Sequence, residues 1–381
     1  MPNRLLRANV LGMLSGIDLK SSPAAGGYIL SAGSTSAVIK ILAEQYLRIG
    51  KDTVIIDTDV NLDLAVAASW DSITTNYTVA ATRAGKDFYV YLCLTASGTV
   101  AFVVSANSTY PSGYTATTSR KLGGFHCLCT AAGTISGHTL TGYAQGAILP
   151  ASIWDLFNRP VCSPEGMVFS DKANIWVDIY LASGTGANTA SVNGGTISDT
   201  RDWMSFVDDF AAVKKQLLND SEFQVIAAGS NEETNILGSA DPVTTGGHSD
   251  TASRRMISNI GCEDCCGVLW QWLLDQSFQF AAAANHTHSE NAAASYTQSA
   301  TTGNPSADVA PAWAYQDLTG AKGSLYKQGT YGDVKLRAGA IWDSGAYSGS
   351  RARSAYHSRW YTATDIGSRG RAAPKSTLRF A

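Results

Sequence analysis

The sequence predicts a β-rich α+β protein of several domains, and three observations carry that expectation. Its 381 residues exceed one ordinary domain and suit two or three. Between Thr53 and Asn158, β-branched and aromatic runs alternate with Gly, Pro, Asn and Ser clusters at short intervals, the pattern of a sandwich or barrel. Two stretches between Trp203 and Gly229 carry helical spacing. Hydrophobic residues make up 45 % of the chain, enough for large cores, whereas charged residues make up only 15 %. A surface so sparsely charged, with much Gly, Ser, Thr and Ala, suits an extracellular or virion protein, or an oligomer that hides surface.

Residues 1–50 form a short opening module, too small for an independent core. Within it Ser36 to Ile49 fits a helix or a strand. From 51 to 162 the runs TVIID, NYTVAATRA, KDFYVYLCLTA, TVAFVVSA and HTLTGYAQGAIL read as strands, with a turn region at Asn107 to Gly113. His126, Cys127 and Cys129 have no second ligand pair at zinc spacing and read as core. Pro160 and Pro164 mark a boundary, and Asn174 to Ser183 reads as the next strand. Trp203, Phe206, Val207, Phe210, Val213 and Leu217 line one helical face. A second helix is expected to begin at Ser221, with Gln224 closing a capping box, and to end at Gly229. Glu232 and Glu233 then read as a solvated loop. Residues 230–252 and 281–310 also read as loops; the second contains His286 and His288, with no carboxylate or Cys cluster to complete a metal site. Cys262, Cys265 and Cys266 lack the βαβ setting of a redox C-x-x-C motif. Trp270 and Trp272, two apart on a strand, share one face and fit a core layer.

The most informative stretch is the last one. Two rigid blocks, Arg337, Gly339 and Trp342, then Ile366 to Gly370, bracket a middle rich in Tyr, Ser, Gly, Ala, Arg and Trp. Antibody paratopes use that mixture, because aromatics give contact area at small entropic cost and small polar residues give adaptable hydrogen bonds. From Arg337 onward there are eight basic and two acidic residues, +6, so the remainder carries −9 of the net −3. The arginines are spaced among aromatics, which suits a protein–protein hot spot better than nucleic acid. The opening apolar core is too short for a signal peptide, and no apolar run reaches the roughly 18 residues of a membrane span. Seven irregularly spaced cysteines argue against a disulfide framework and for synthesis in a reducing cytoplasm.

Several blocks in order resemble the formylglycine-generating-enzyme branch of the C-type-lectin-like fold. EGMVF, from Glu165, resembles its opening strand, and SEFQVIAAG, from Ser221, its E-x-E-W-E-Y-A-A-R-G helix. GVLWQW, from Gly267, resembles its G-N-V-W-E-W block; RAGAIW, RARSAY and DIGSRG resemble its closing R-G-G-S-W, R-x-x-x-R and I-G-F-R series. The whole chain more closely resembles the receptor-binding variable proteins of diversity-generating retroelements, found at phage tail-fibre tips. In that family the segment before the I-G-S-R-G block is rewritten while its frame stays fixed. The resemblance implies an N-terminal β-rich trimerisation module at 1–50, a β-sandwich at 51–162, and a C-type-lectin-like receptor-binding domain at 163–381 with a variable region at about 337–381. It implies a homotrimer at the virion's tail-fibre tip, joined to other tail-fibre proteins. It also implies attachment to a bacterial surface protein such as the autotransporter adhesin pertactin, without nucleic acid or membrane insertion.

The contact set implied is Ser344, Ala346, Tyr347, Ser348, Ser350, Arg353, His357, Arg359, Trp360 and Thr364. The framework set is Arg337, Gly339, Trp342, Ile366, Gly367, Arg369, Trp270 and Trp272. No catalytic residue is expected: the enzymes of this branch need a cysteine pair near the domain's end, and residues 337–381 contain no Cys to supply a thiolate. Calcium-dependent sugar binding is not expected either, since Asp343 and Asp365 are the stretch's only acids and calcium takes about six to eight oxygens. No cofactor is expected, with a structural cation elsewhere left open. The competing readings are a structural fibre or baseplate subunit, whose 344–364 surface would be buried in virion contacts, and a degenerate enzyme on the same fold.

Overall fold

The computed structural model describes residues 4–6, 29–50, 52–71, 75–280, 325–327, 332–355 and 357–375. The expected loop at 281–310, with His286 and His288, lies outside them, as does Tyr356. The chain forms two compact units: Met1–Ala131 with Tyr143–Pro160 and Pro374–Ala381, and Ala132–Gly142 with Val161–Ala373.

The first unit holds strands β1 (Arg4–Leu6), β2 (Leu30–Ala32), β3 (Val38–Ile41), β4 (Gln45–Ile49), β5 (Asp52–Ile56) and β6 (Val60–Asp63). These make two three-stranded sheets, ordered β1-β5-β4 and β2-β3-β6. Ser36 to Ile49 therefore resolves into strands, split where Glu44 takes a φ of 59° and the chain turns from one sheet to the other. β4 and β5 pair as a hairpin with Ile49 opposite Asp52, so a boundary after residue 50 falls inside its turn. A third sheet, β10-β9-β7-β8, contains β7 (Asp87–Leu94), β8 (Val100–Ser105), β9 (Ser119–His126) and β10 (Trp154–Asp155). β7 is covered on both faces, which is why its sequence is continuously apolar rather than alternating. Phe88 meets Trp70 and Tyr77 edge-on in this core. His126, Cys127 and Cys129 are buried there, and all seven cysteines of the chain are free thiols.

Two stretches expected as strands are not strands. NYTVAATRA contains the single helical turn α1 (Ala80–Arg83), held by the buried Arg83, which donates to the carbonyls of Tyr77, Thr78 and Gly146. HTLTGYAQGAIL is a run of turns, because Gly142 and Gly146 take φ of 79° and 73° and interrupt any pleat.

The second unit opens with β11 (Met167–Ser170) and β12 (Ile175–Asp178), the latter shorter than the expected strand to Ser183. α2 (Trp203–Ala212) is capped by Asp202, whose carboxylate accepts from Ser205 N. The apolar spacing overran this helix. Val213 is its C-cap, Lys214 turns at a φ of 61°, and Leu217 lies on β13 (Gln216–Leu217). α3 (Asp220–Ile226) begins one residue earlier than expected and ends three before Gly229. Its capping box uses Asn219 and Glu222 rather than Ser221 and Gln224. The remaining strands are β14 (Trp270–Phe280), β15 (Leu325–Lys327), β16 (Gly332–Ala338), β17 (Arg353–Ala355), β18 (Ile366–Gly367) and β19 (Gly370–Ala372). They build one sheet ordered β11-β12-β19-β13 and another ordered β15-β17-β16-β14-β18. Trp203, Phe206, Phe210, Leu217, Trp272 and Ile366 share one core; Leu181, Ile197, Ile236, Met256, Val268 and Leu269 form a second.

Candidate recognition surface

The closing segment is fixed from beneath by three interior arginines, Arg337, Arg353 and Arg369. Arg369 follows β18 and donates to four acceptors: the carbonyls of Asp178, Ile179 and Glu263, and Gln271 Oε1. It thereby ties three segments, 178–179, Glu263 and Gln271, to its own with one planar fork. Arg337, on β16, lies 5.7 Å and 5.4 Å from the ring centres of Trp270 and Trp272 and donates to Ser354 Oγ at 2.9 Å. The two tryptophans do share a face, and what that face holds is a guanidinium in cation–π contact. Gly339 takes a φ of 99°, and a Cβ there would stand 2.5 Å from the Cys265 carbonyl oxygen, so the framework position accepts only glycine. Trp342 is part-buried against the second core, and Ile366 and Gly367 are buried on β18, parallel to Trp270 and Gln271.

Arg353, placed among the contacts by its residue type, is instead a buried member of this frame. Its Nε donates to Asp220 of α3, its Nη1 to the carbonyls of Ser350 and Ala352, and its guanidinium lies 5.2 Å from the Phe223 ring centre. Ser348 and Ser350 are buried as well. All three leave the contact set, because a side chain enclosed by its own domain presents no surface to a partner.

The segment is also held from outside its own stretch. Glu232 Oε1 accepts from Ser350 Oγ at 2.7 Å and Oε2 from Ser350 N at 3.2 Å, so Glu232 is a clamp rather than a solvated acid; Glu233 is exposed. Glu233 N donates to Ser348 O, and Asn235 accepts from Gly345 N and donates to Trp342 O. Trp203 N donates to Arg359 O at 2.9 Å and Thr200 N to Ala363 O at 3.0 Å.

On this frame Ala346, Tyr347, Trp360 and Thr364 are exposed, and Ser344, His357 and Arg359 are partly exposed. The Arg359 guanidinium lies 5.0 Å from the Trp360 ring centre. His357 stacks on Tyr361 with centroids 3.5 Å apart and planes within 3°. Burial, and then the neighbouring Arg337 charge, push the His357 imidazole down to about 3 from its ordinary 6.5. It is therefore neutral in the folded protein at physiological pH. Below pH 6.5 the unfolded chain takes up a proton that the folded chain refuses, so stability is lost as pH falls from 6.5 toward 3. His357→Phe keeps the stack and removes the proton site; it is expected to flatten the fall in melting temperature between pH 7 and pH 4. An unchanged slope would show that the ring is not held neutral.

Among the described residues no three His, Cys, Asp or Glu side chains converge on a metal-sized site, and no helix is long and apolar enough to cross a membrane. The closing segment is thus a backbone locked by buried guanidiniums that carries aromatic and small polar side chains outward. Residues 37–155 match the family described as Mtd second domain. The "Tail fiber receptor-binding protein" of Bordetella phage BPP-1 is 27 % identical over 374 residues, covering 91 % of this chain and 87 % of that protein. Solved structures of the Major Tropism Determinant U1 and I1 variants match with TM-scores of 0.66 and 0.65, each at 24 % identity over 97 % of this chain and 88 % of theirs. The chain thus shares the β-rich architecture and C-type-lectin-like fold of the solved Major Tropism Determinant variants.

Proposed function

We propose that this chain is a receptor-binding protein of a phage tail fibre and attaches the virion to a bacterial surface protein through residues 344–364. The observation that carries the reading is the division of labour within that segment. Arg353 and Ser350 point inward with their side chains bonded to the frame, and Ser348 is buried with its carbonyl held by Glu233 N, while Tyr347 and Trp360 stand out. Exposed aromatics on a fixed backbone are hot-spot anchors: they bury large area and lose little rotamer freedom on binding. Ser344, Ala346, His357, Arg359 and Thr364 complete the contact set and tune its shape. The names of the relatives, a tail-fibre receptor-binding protein and tropism determinants, support the same reading. The finer parts of the proposal are a homotrimer at the fibre tip and an autotransporter adhesin such as pertactin as receptor. Three linked copies would strengthen a weak contact by avidity, roughly 10²- to 10⁴-fold where the sites match in geometry.

The test is binding to intact bacterial cells. The wild type is compared with Tyr347→Ala/Trp360→Ala, both matched in melting temperature and oligomeric state. The double variant is expected to bind at least about 30-fold more weakly, the effect of losing one hot spot of about 2 kcal/mol. Equal binding by the two proteins would put recognition elsewhere.

A further inference from the structure

We infer that the recognition surface extends beyond residues 344–364 onto a fixed apolar ledge, Leu237 and Val243, which docks against apolar side chains of the same protein receptor. The inference rests on the reading above and deepens it. Among the described residues the three most exposed large hydrophobic side chains are Val243 at 73 %, Leu237 at 62 % and Trp360 at 60 %. Leu237 and Val243 each follow a residue that lies against the closing segment carrying Trp360. Asn235, two residues before Leu237, bonds Trp342 O and Gly345 N at the start of the displayed segment. Asp241, two residues before Val243, lies beside Thr364 at its end. The ledge thus borders both ends of the surface that carries Tyr347 and Trp360.

Its backbone is tied down. Ile236 N donates to Gly267 O, Leu237 N to Ser249 O, and Ile197 N to Val243 O, while Thr196 bridges Thr244. Gly238 and Ser239 turn at φ of 89° and 47°, and Ser239 Oγ accepts from Asn235 Nδ2 at 2.8 Å. Two large apolar side chains held outward on a bonded loop lose solvent exposure on docking with little further ordering. The chemistry narrows the partner. From Thr234 to Gly247 Asp241 is the only charged residue. That stretch carries no cation for phosphate, and although Asp199 and Asp365 lie near Asp241, no three acids among the described residues converge on a metal-sized site. An uncharged, apolar protein face fits, and the ledge gives it a contact that does not depend on the side chains at 344–364.

The experiment compares three full-length proteins on cells that the wild type binds: wild type, Leu237→Asp/Val243→Asp, and Tyr347→Ala/Trp360→Ala. Melting temperature and light-scattering mass are measured for each. The aspartate pair is expected to keep both and to lose about tenfold or more in affinity, the scale of one buried apolar side chain. Wild-type binding by the aspartate pair, with binding lost in the aromatic pair, overturns the ledge and leaves the proposed function standing. Wild-type binding by the aromatic pair overturns the proposed function, and the ledge with it. A changed mass for the aspartate pair overturns the inference by making the ledge a contact between copies.

Discussion

Arg369→Ala is expected to cost on the order of 3–5 kcal/mol, a large share of the stability of an ordinary domain. Arg369 is fully interior, and its fork serves the carbonyls of Asp178, Ile179 and Glu263 and the side chain of Gln271. Truncation removes a donor from each of these acceptors, of which the Ile179 carbonyl keeps Glu263 N, at about 1–3 kcal/mol for each left with neither donor nor water, and adds a cavity. The effect is transmitted to the sheet itself. The neighbouring Gly370 N donates to Asp178 Oδ2 at 3.0 Å, and the same carboxylate takes Lys215 Nζ from the turn before β13. Losing the arginine therefore loosens β12, β13 and β19 together. Arg369→Lys is expected to recover part of the loss at most, because one ammonium cannot reproduce a planar fork aimed at four acceptors. Urea unfolding of the full chain measures both variants. Trp360→Ala, an exposed truncation, is the control and should fall within about 0.5 kcal/mol of wild type. A wild-type midpoint for Arg369→Ala would show that the guanidinium does not hold the frame.

What could be read from the sequence, and what could not, divides along the range of the interaction that decides each element. β7 was legible because Phe88 to Leu92 are apolar on both faces, and that is a local property. The face of α2 was legible from Trp203, Phe206 and Phe210, whereas its end was not. Val213 and Leu217 continue the helical spacing, but Lys214 takes the left-handed turn that breaks the helix. HTLTGYAQGAIL has strand-like composition, and its glycines at positive φ decide otherwise. At the recognition surface, side-chain type identified Tyr347 and Trp360 correctly as outward-facing. It failed for Ser348 and Ser350, whose partners lie in the 232–235 turn, 118 residues away for the Ser350–Glu232 pair. No local pattern marks Glu232 as a clamp, nor Asn235 as a brace. Arg353 is the instructive case. Paratope-like composition put it outside, whereas the partner that buries it, Asp220, lies 133 residues away and no local pattern marks the pair.

That contact sets the second large effect. Arg353→Ala is expected to destabilise the second unit on the order of 3–5 kcal/mol, through folding and not through specificity. Removing the guanidinium leaves the Asp220 carboxylate in the interior at the start of α3, where its remaining side-chain donor is Gln224 Nε2 at 2.9 Å. It also frees the carbonyls of Ser350 and Ala352, which the same arginine holds beneath the displayed loop. Asp220→Ala should cost a comparable amount by leaving the cation unpaired. The double variant Asp220→Ala/Arg353→Met distinguishes the terms: it removes both charges and keeps an apolar side chain over Phe223. It should be markedly more stable than the sum of the two single losses, by about 1–3 kcal/mol of coupling, yet below wild type, because the Ser350 carbonyl loses the Arg353 donor and the Ala352 carbonyl keeps only Gly339 N. Denaturant unfolding of the four proteins gives the coupling directly. Cell binding on the folded Arg353→Ala protein, well below its melting temperature, should match wild type within about threefold, a difference of roughly 0.7 kcal/mol. Strict additivity of the two single losses, or a binding defect in a fully folded Arg353→Ala protein, would return Arg353 to the receptor surface.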